Sequence, residues 1–196
     1  LVTVEDDWGS AVAPEKLESE LKANPDTKVV GFVYAETSTG VKSDAETLCR
    51  ISREYDCLSI VDAVTALGGI ELETVDWNDK IQSRNSPVQS WFLDMSLLMA
   101  YWEGEGARTY HHTAPVNAMY GLHESLLILQ EEGLEKAWER HRAMHEMLAS
   151  GLEELGFMFL VEKEEERLPQ LNTVKLPPSI EDQKIRNQLL TDYNLE

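Results

Sequence analysis

Basic residues are scarce in this chain. Seventeen Lys and Arg stand against 36 Asp and Glu, a formal net charge of −19. Holding a nucleic-acid backbone needs clustered cations, so that class of partner is excluded. The surplus acid runs through residues 5–7, 131–132 and 162–166, as solvated faces usually do. Cysteine is nearly absent as well. Cys49 and Cys57 are the two present, in a chain of 196 residues that needs no stapling, so reduced thiols in a cytoplasmic setting are expected. No apolar run approaches membrane-spanning length and no signal-peptide pattern opens the chain, so no membrane partner is expected. Gly104 and Gly106 form a lone G-x-G that follows no strand, which argues against a dinucleotide fold. Gly9-Ser10 lacks the second glycine of a hydrolase elbow. The first residue is not methionine, and the chain reads as a piece of something longer.

What is present is organised around residues 58–69, LSIVDAVTALGG. Leu58, Ile60 and Val61 form a short apolar run that predicts a strand buried inside a parallel sheet. Asp62 follows where the strand should end, and ligands bind at the carboxyl ends of strands in open α/β sheets. By itself that carboxylate is either a solvated turn residue or a placed functional charge. Residues 29–40, VVGFVYAETSTG, repeat the plan, with an apolar strand followed by small hydroxylated residues and a glycine.

In chain order, residues 1–4 read as a strand end, and Pro14 sits in the first turn of a helix stopped by Asn24-Pro25-Asp26. Residues 28–34 form the next strand, and Ser43 with Glu46 spaces a capping box for a helix running through Tyr55. After Gly68-Gly69, residues 70–75 resume an extended pattern. This alternation predicts an α/β class with a mainly parallel sheet. Residues 88–102 are dense in Trp, Phe, Leu and Met, as in a buried helix or a subunit interface. Helices follow over 114–130 and 134–155, with Leu122, Leu126 and Leu129, then Ala137, Met144, Leu148 and Leu152, at helical spacing. From Phe157 the order is strand, acidic loop, strand and a helix over 180–193, a smaller α+β domain that does not close.

Two histidine pairs invite a metal reading. His111 and His112 are adjacent, and such side chains diverge in helix or strand; no carboxylate or cysteine follows at ligand spacing. His141 and His145 lie one helical turn apart without the Glu of a zinc-protease helix, and a partly exposed helix face is expected. No metal site is therefore expected. Tyr110 and Thr113 are hydroxyl donors just before a helix beginning at Ala114-Pro115, which suits an anion.

AETSTG (35–40), VDAVTALGG (61–69), SPVQSWFLDM (86–95), YHHTAPVNAMY (110–120) and QEEGLEKAWERH (130–141) together resemble the class V, fold type I, pyridoxal-phosphate aminotransferases. The nearest resemblance is to the alanine–glyoxylate / serine–pyruvate family. It implies that residues 1–150 are part of a large cofactor-binding domain including interface helices, and 151–196 an incomplete small C-terminal domain. It also implies a homodimer with sites completed across the interface, acting on small amino and keto acids. Asp62 would stand beside the pyridinium nitrogen and Val64 against a ring face. Thr37 would bond near the ring hydroxyl, and Tyr110 and Thr113 would reach the phosphate of the neighbouring subunit. Without the resemblance, Val64 would be core and Thr37 a turn hydroxyl.

One departure is large. The family's Ser-Gly-Ser-Gln-Lys segment, whose Schiff-base lysine holds the cofactor, has no counterpart here, nor does its late arginine for the substrate carboxylate. The nine lysines are 16, 22, 28, 42, 80, 136, 163, 175 and 184. None follows small residues at the end of a buried strand; residues 80–84 match the family beyond the missing lysine. Deleting a central strand would strip its neighbours of backbone partners. A backbone break between Trp77 and Lys80 is therefore expected, with a cofactor-free site. The chain as written would be inactive. The alternative is a catalytically inactive truncated homologue that keeps only the dimerisation surface. For the compartment, cytoplasmic is expected, with a peroxisomal address as the alternative.

Overall fold

Branched residues at 29–33 and 58–62 favour extended backbone, and the two segments pair as adjacent parallel strands, β1 (Val29–Val33) and β4 (Leu58–Asp62). The register runs from Val29 opposite Leu58 to Val33 opposite Asp62. The computed structural model describes residues 1–72, 84–103 and 110–195. They fall into two compact units, one of Leu1–Leu72 with Gly133–Glu196, the other of Glu73–Glu132.

In the first unit, helices α1 (Pro14–Ala23) and α2 (Ala45–Glu54) cover one face of the strand pair. Leu17, Leu21, Val30, Leu48 and Ile51 form that core, with Phe32, Tyr55 and Cys57 packed on its rim. Pro14 stands in the first helical turn as expected. Leu48 is fully buried, and Leu48→Ala is expected to cost about 2–5 kcal/mol in equilibrium denaturant unfolding.

The opposite face of the pair is open. Val29, Val33, Leu58 and Ile60 are exposed, Ile60 by 52%. The strand predicted to be buried on both sides is half-buried on one and exposed on the other, because among the described residues of this unit the helices α1 and α2 cover one face. Residues 1–4 are not a strand, since no strand among the described residues pairs with them. The helix cap also differs from expectation. Asp44, not Ser43, is the N-cap, its carboxylate accepting from Thr47 N–H at 3.0 Å. Ser43 is buried, and its hydroxyl accepts from Val12 N–H at 3.2 Å instead.

Between β1 and α2 the AETSTG stretch makes a small hairpin of β2 (Ala35–Glu36) and β3 (Val41–Lys42). Gly40 closes it at φ 75°, a left-handed conformation that favours glycine. The C-terminal part of this unit holds α5 (Leu134–Glu154), the antiparallel strands β5 (Met158–Phe159) and β6 (Val174–Lys175), and α6 (Asp182–Tyr193). His145 is buried rather than partly exposed, its ring centroid 6.1 Å from that of Phe159. Met144 and Leu148, read as the packing stripe, are exposed, so α5 turns the Ala137/His145 side inward.

The second unit contains α3 (Met95–Glu103) and α4 (Val116–Glu132). Met99 is buried, whereas Trp91, Phe92, Leu93, Met95 and Tyr101 are exposed. Helix α4 buries no residue, and Leu122 and Leu126 face outward. Of the two readings for this aromatic stretch, a helix buried within the chain does not hold.

Candidate functional site

Asp62 ends β4, and its carboxylate turns back on the chain. Oδ1 accepts from Val64 N–H at 3.1 Å, an Asx turn that carries the backbone away from the sheet. Among the described residues Oδ2 has no partner. Val64 is an apolar side chain 86% exposed at the apex of this turn. The next residue, Thr65, brings its hydroxyl 2.5 Å from that of Thr37 in the β2–β3 turn. The loops after two neighbouring parallel strands therefore meet, and they bring together the three residues Thr37, Asp62 and Val64.

Around this point the electrostatics are set locally. Glu36 accepts from both the hydroxyl and the N–H of Ser38, and these bonds hold its carboxyl below the usual range. Tyr34 is pushed up, first by burial and then by the carboxylates of Asp44 and Glu71; its hydroxyl donates to Glu71 O at 3.2 Å. The sequence reading missed Thr65, though it stands one residue beyond Val64 in the same motif. It also missed Gln170, whose side chain donates to Thr65 O at 3.0 Å from far along the chain.

Tyr110 and Thr113 lie in the second unit, where their hydroxyls are 2.7 Å apart. They precede α4, whose first-turn N–H groups have no partners inside the helix. A single hydroxyl organises the stretch between them. Tyr101 Oη accepts from His111 N–H at 2.6 Å and His112 N–H at 3.2 Å, and donates to His112 O at 3.2 Å.

The expected divergence of the adjacent histidines does not occur. Residues 111–112 form a bend, neither helix nor strand, and the two Nδ1 atoms lie 2.9 Å apart. His111 Nε2 donates to Trp91 O at 2.6 Å. Between the two Nδ1 atoms one ring donates and the other accepts. His111 is 3% exposed and serves packing. No group of three or more His, Cys, Asp or Glu side chains that could hold a metal occurs among the described residues.

Cys49 and Cys57 are free thiols. No described helix is long and apolar enough to cross a membrane. The expected break between Trp77 and Lys80 falls outside the described residues, as does Lys80 itself.

A parallel strand pair with helices on one face and polar turns at the carboxyl ends is an α/β arrangement, and the solved structures it matches are transferases of the fold type I architecture. A solved alanine–glyoxylate aminotransferase from Nostoc sp. matches 98% of this chain at a TM-score of 0.83 and 32% identity, covering 58% of its own length. The aminotransferase class-V family profile matches residues 2–79 and 93–195, and the chain belongs to that family. Residues 80–84, read as matching the family beyond the missing lysine, and the SPVQSW residues lie in the interval between the two matched segments.

The alanine–glyoxylate aminotransferase of Drosophila melanogaster is 30% identical over 223 residues, covering 98% of this chain and 56% of its own. That aligned span exceeds the 196 residues here, so the relative carries residues with no counterpart in this chain. The (S)-ureidoglycine–glyoxylate transaminase of Bacillus subtilis (strain 168) is 28% identical, covering 98% of this chain and 56% of its own. The chain spans about half the length of the curated relatives it matches.

Proposed function

We propose that this chain is the pyridoxal-phosphate-binding part of a transaminase that moves an amino group from alanine or serine to glyoxylate or pyruvate. One observation carries the reading: Thr37 and the Asp62–Val64 turn converge at the carboxyl ends of adjacent parallel strands. The donor set fits the cofactor. An exposed carboxylate oxygen, an exposed apolar side chain and a hydroxyl pair stand where the two strand-end loops meet. Bound there, pyridoxal phosphate supplies an electron sink for the α-carbon of an amino acid. The chain's own part is positional. Asp62 holds a proton on the ring nitrogen, because an opposite charge in contact favours the charged form. Val64 packs against the ring, and Thr37 donates near its hydroxyl.

In the same reading, Tyr110 and Thr113 serve the phosphate of a neighbouring subunit, and the chain is a homodimer whose exposed aromatic stretch 91–101 is subunit contact. Residues 1–150 then belong to the cofactor-binding domain and 151–196 to the smaller one. Glyoxylate is the keto acid named in all three relatives above, which supports it as acceptor. A second reading, an inactive homologue keeping the dimer surface, is favoured by the lack of a counterpart to the family's Ser-Gly-Ser-Gln-Lys segment in this sequence.

Binding of pyridoxal phosphate and of pyridoxal, followed by tryptophan emission, tests the first reading. The phosphate form is expected to bind more tightly in the parent protein. Replacing Tyr110 by Phe and Thr113 by Val removes two donors to an anion. Each is worth about 1.5–3 kcal/mol, so the preference should fall at least tenfold. An unchanged preference would remove both residues from the phosphate site.

A further inference from the structure

The two strand-end loops are held from outside by a segment more than a hundred residues away. Leu168 N–H donates to Gly40 O at 2.9 Å, and Arg167 forms a bridge with Val41. Leu168 and Leu171 pack among Ala35, Ala63, Ala66 and Ile70. Between those leucines Gln170 reaches inward, and its Nε2 donates to the Thr65 carbonyl at 3.0 Å. Gly69 makes the room. A methyl group at that position would lie 2.2 Å from Gln170 Nε2 and 2.5 Å from its Cδ. Gln170 Oε1 is buried and has no partner among the described residues. The amide is thus held at a desolvation cost, with the Thr65 bond as its return.

Inside the turn the remaining bonds are local: Val64 N–H to Asp62 Oδ1, and Ala66 and Leu67 N–H to Ala63 O. Over residues 63–70, two polar ties reach the turn from elsewhere among the described residues. They are the Thr37 hydroxyl and Gln170.

We propose that Gln170 is a positioning residue, holding the Asp62–Ala66 turn through the Thr65 carbonyl in the arrangement that presents Asp62, Val64 and the Thr37–Thr65 pair to the cofactor. The assignment rests on the cofactor reading above. Gln170 touches no reacting atom; it acts by restricting the turn, and a site loose by an ångström loses much of its binding energy.

Amide hydrogen exchange tests it without any ligand. Gln170→Ala should speed exchange at Val64, Ala66 and Leu67 about 3- to 10-fold, the range for one intramolecular hydrogen bond. Amides of α1 should not change. Gln170→Met fills the same space without the donor and should behave like the Ala variant; wild-type exchange in the Met variant would overturn the proposal. Gly69→Ala should speed exchange with Gln170 intact. Adding Gln170→Ala to it should then do no further harm, because the slot is already emptied.

Pyridoxal phosphate affinity, measured beside the melting temperature, gives a second readout. A positioning role weakens binding several-fold with little change in melting, whereas mere packing lowers melting and leaves affinity alone. Asp62→Asn separates the two hypotheses. Weaker binding in Asp62→Asn with unchanged binding and exchange in Gln170→Ala sinks the Gln170 assignment and spares the site. Faster exchange in Gln170→Ala with no effect of Asp62→Asn on binding supports the tie and sinks the cofactor reading.

Discussion

Replacing Asp62 by asparagine is expected to leave the fold intact and slow transamination by about three orders of magnitude. Asp62 is exposed at the end of β4, so the change empties no core. Its one described side-chain bond is to Val64 N–H, and the asparagine carbonyl oxygen accepts that bond equally well. What is lost is the charge. Two unit charges about 4 Å apart at an effective dielectric near 20 interact by about 4 kcal/mol. Each 1.36 kcal/mol added to a barrier slows a reaction about tenfold. Steady-state rates with alanine and glyoxylate, in the lysine-bearing full-length protein, measure the effect, and thermal melting checks the fold. Turnover within a few-fold of wild type would remove Asp62 from the ring nitrogen.

The parts of this site that could be read from sequence are those whose signal is local. A branched apolar run followed by Asp places a carboxylate at a strand end, and β4 ends at Asp62. The helix opening at Pro14 has a signal of the same kind. Thr65 was equally local and needed only the question of what Thr37 touches. Gln170 gave no such signal. Its contact spans 105 residues, and the slot it enters exists because Gly69 lacks a side chain. His145 misled for a related reason: helical periodicity classes histidine as polar, whereas Phe159 packs on it. The histidine pair at 111–112 converges because the Tyr101 hydroxyl bends the backbone, a contact no spacing rule contains. Ile60 reads as core from its neighbours in sequence, yet its exposure depends on what covers the far face of the sheet.

Treatment of this chain with pyridoxal phosphate and borohydride is expected to leave no adduct on any of its nine lysines. An amine that attacks a carbonyl must be deprotonated, which requires a pKa brought down by burial or by a neighbouring cation. The lysines whose environment shows a clear effect go the other way. Lys22 is raised by its bond to Glu18 at 2.7 Å, and Lys163 by its bond to Glu166 at 2.6 Å. Lys16 donates to Glu5 O and Asp6 on an exposed surface, and Lys175 lies 3.7 Å from Glu162. None of the eight described lysines belongs to the loops that carry Thr37 and Asp62. Four of the described lysines, Lys16, Lys22, Lys163 and Lys175, lie beside a carboxylate. Peptide mapping by mass spectrometry after reduction reads the result directly. A reduced adduct on any of these lysines would overturn the prediction. One confined to Lys80 would place the reactive amine in the stretch where the family match is interrupted.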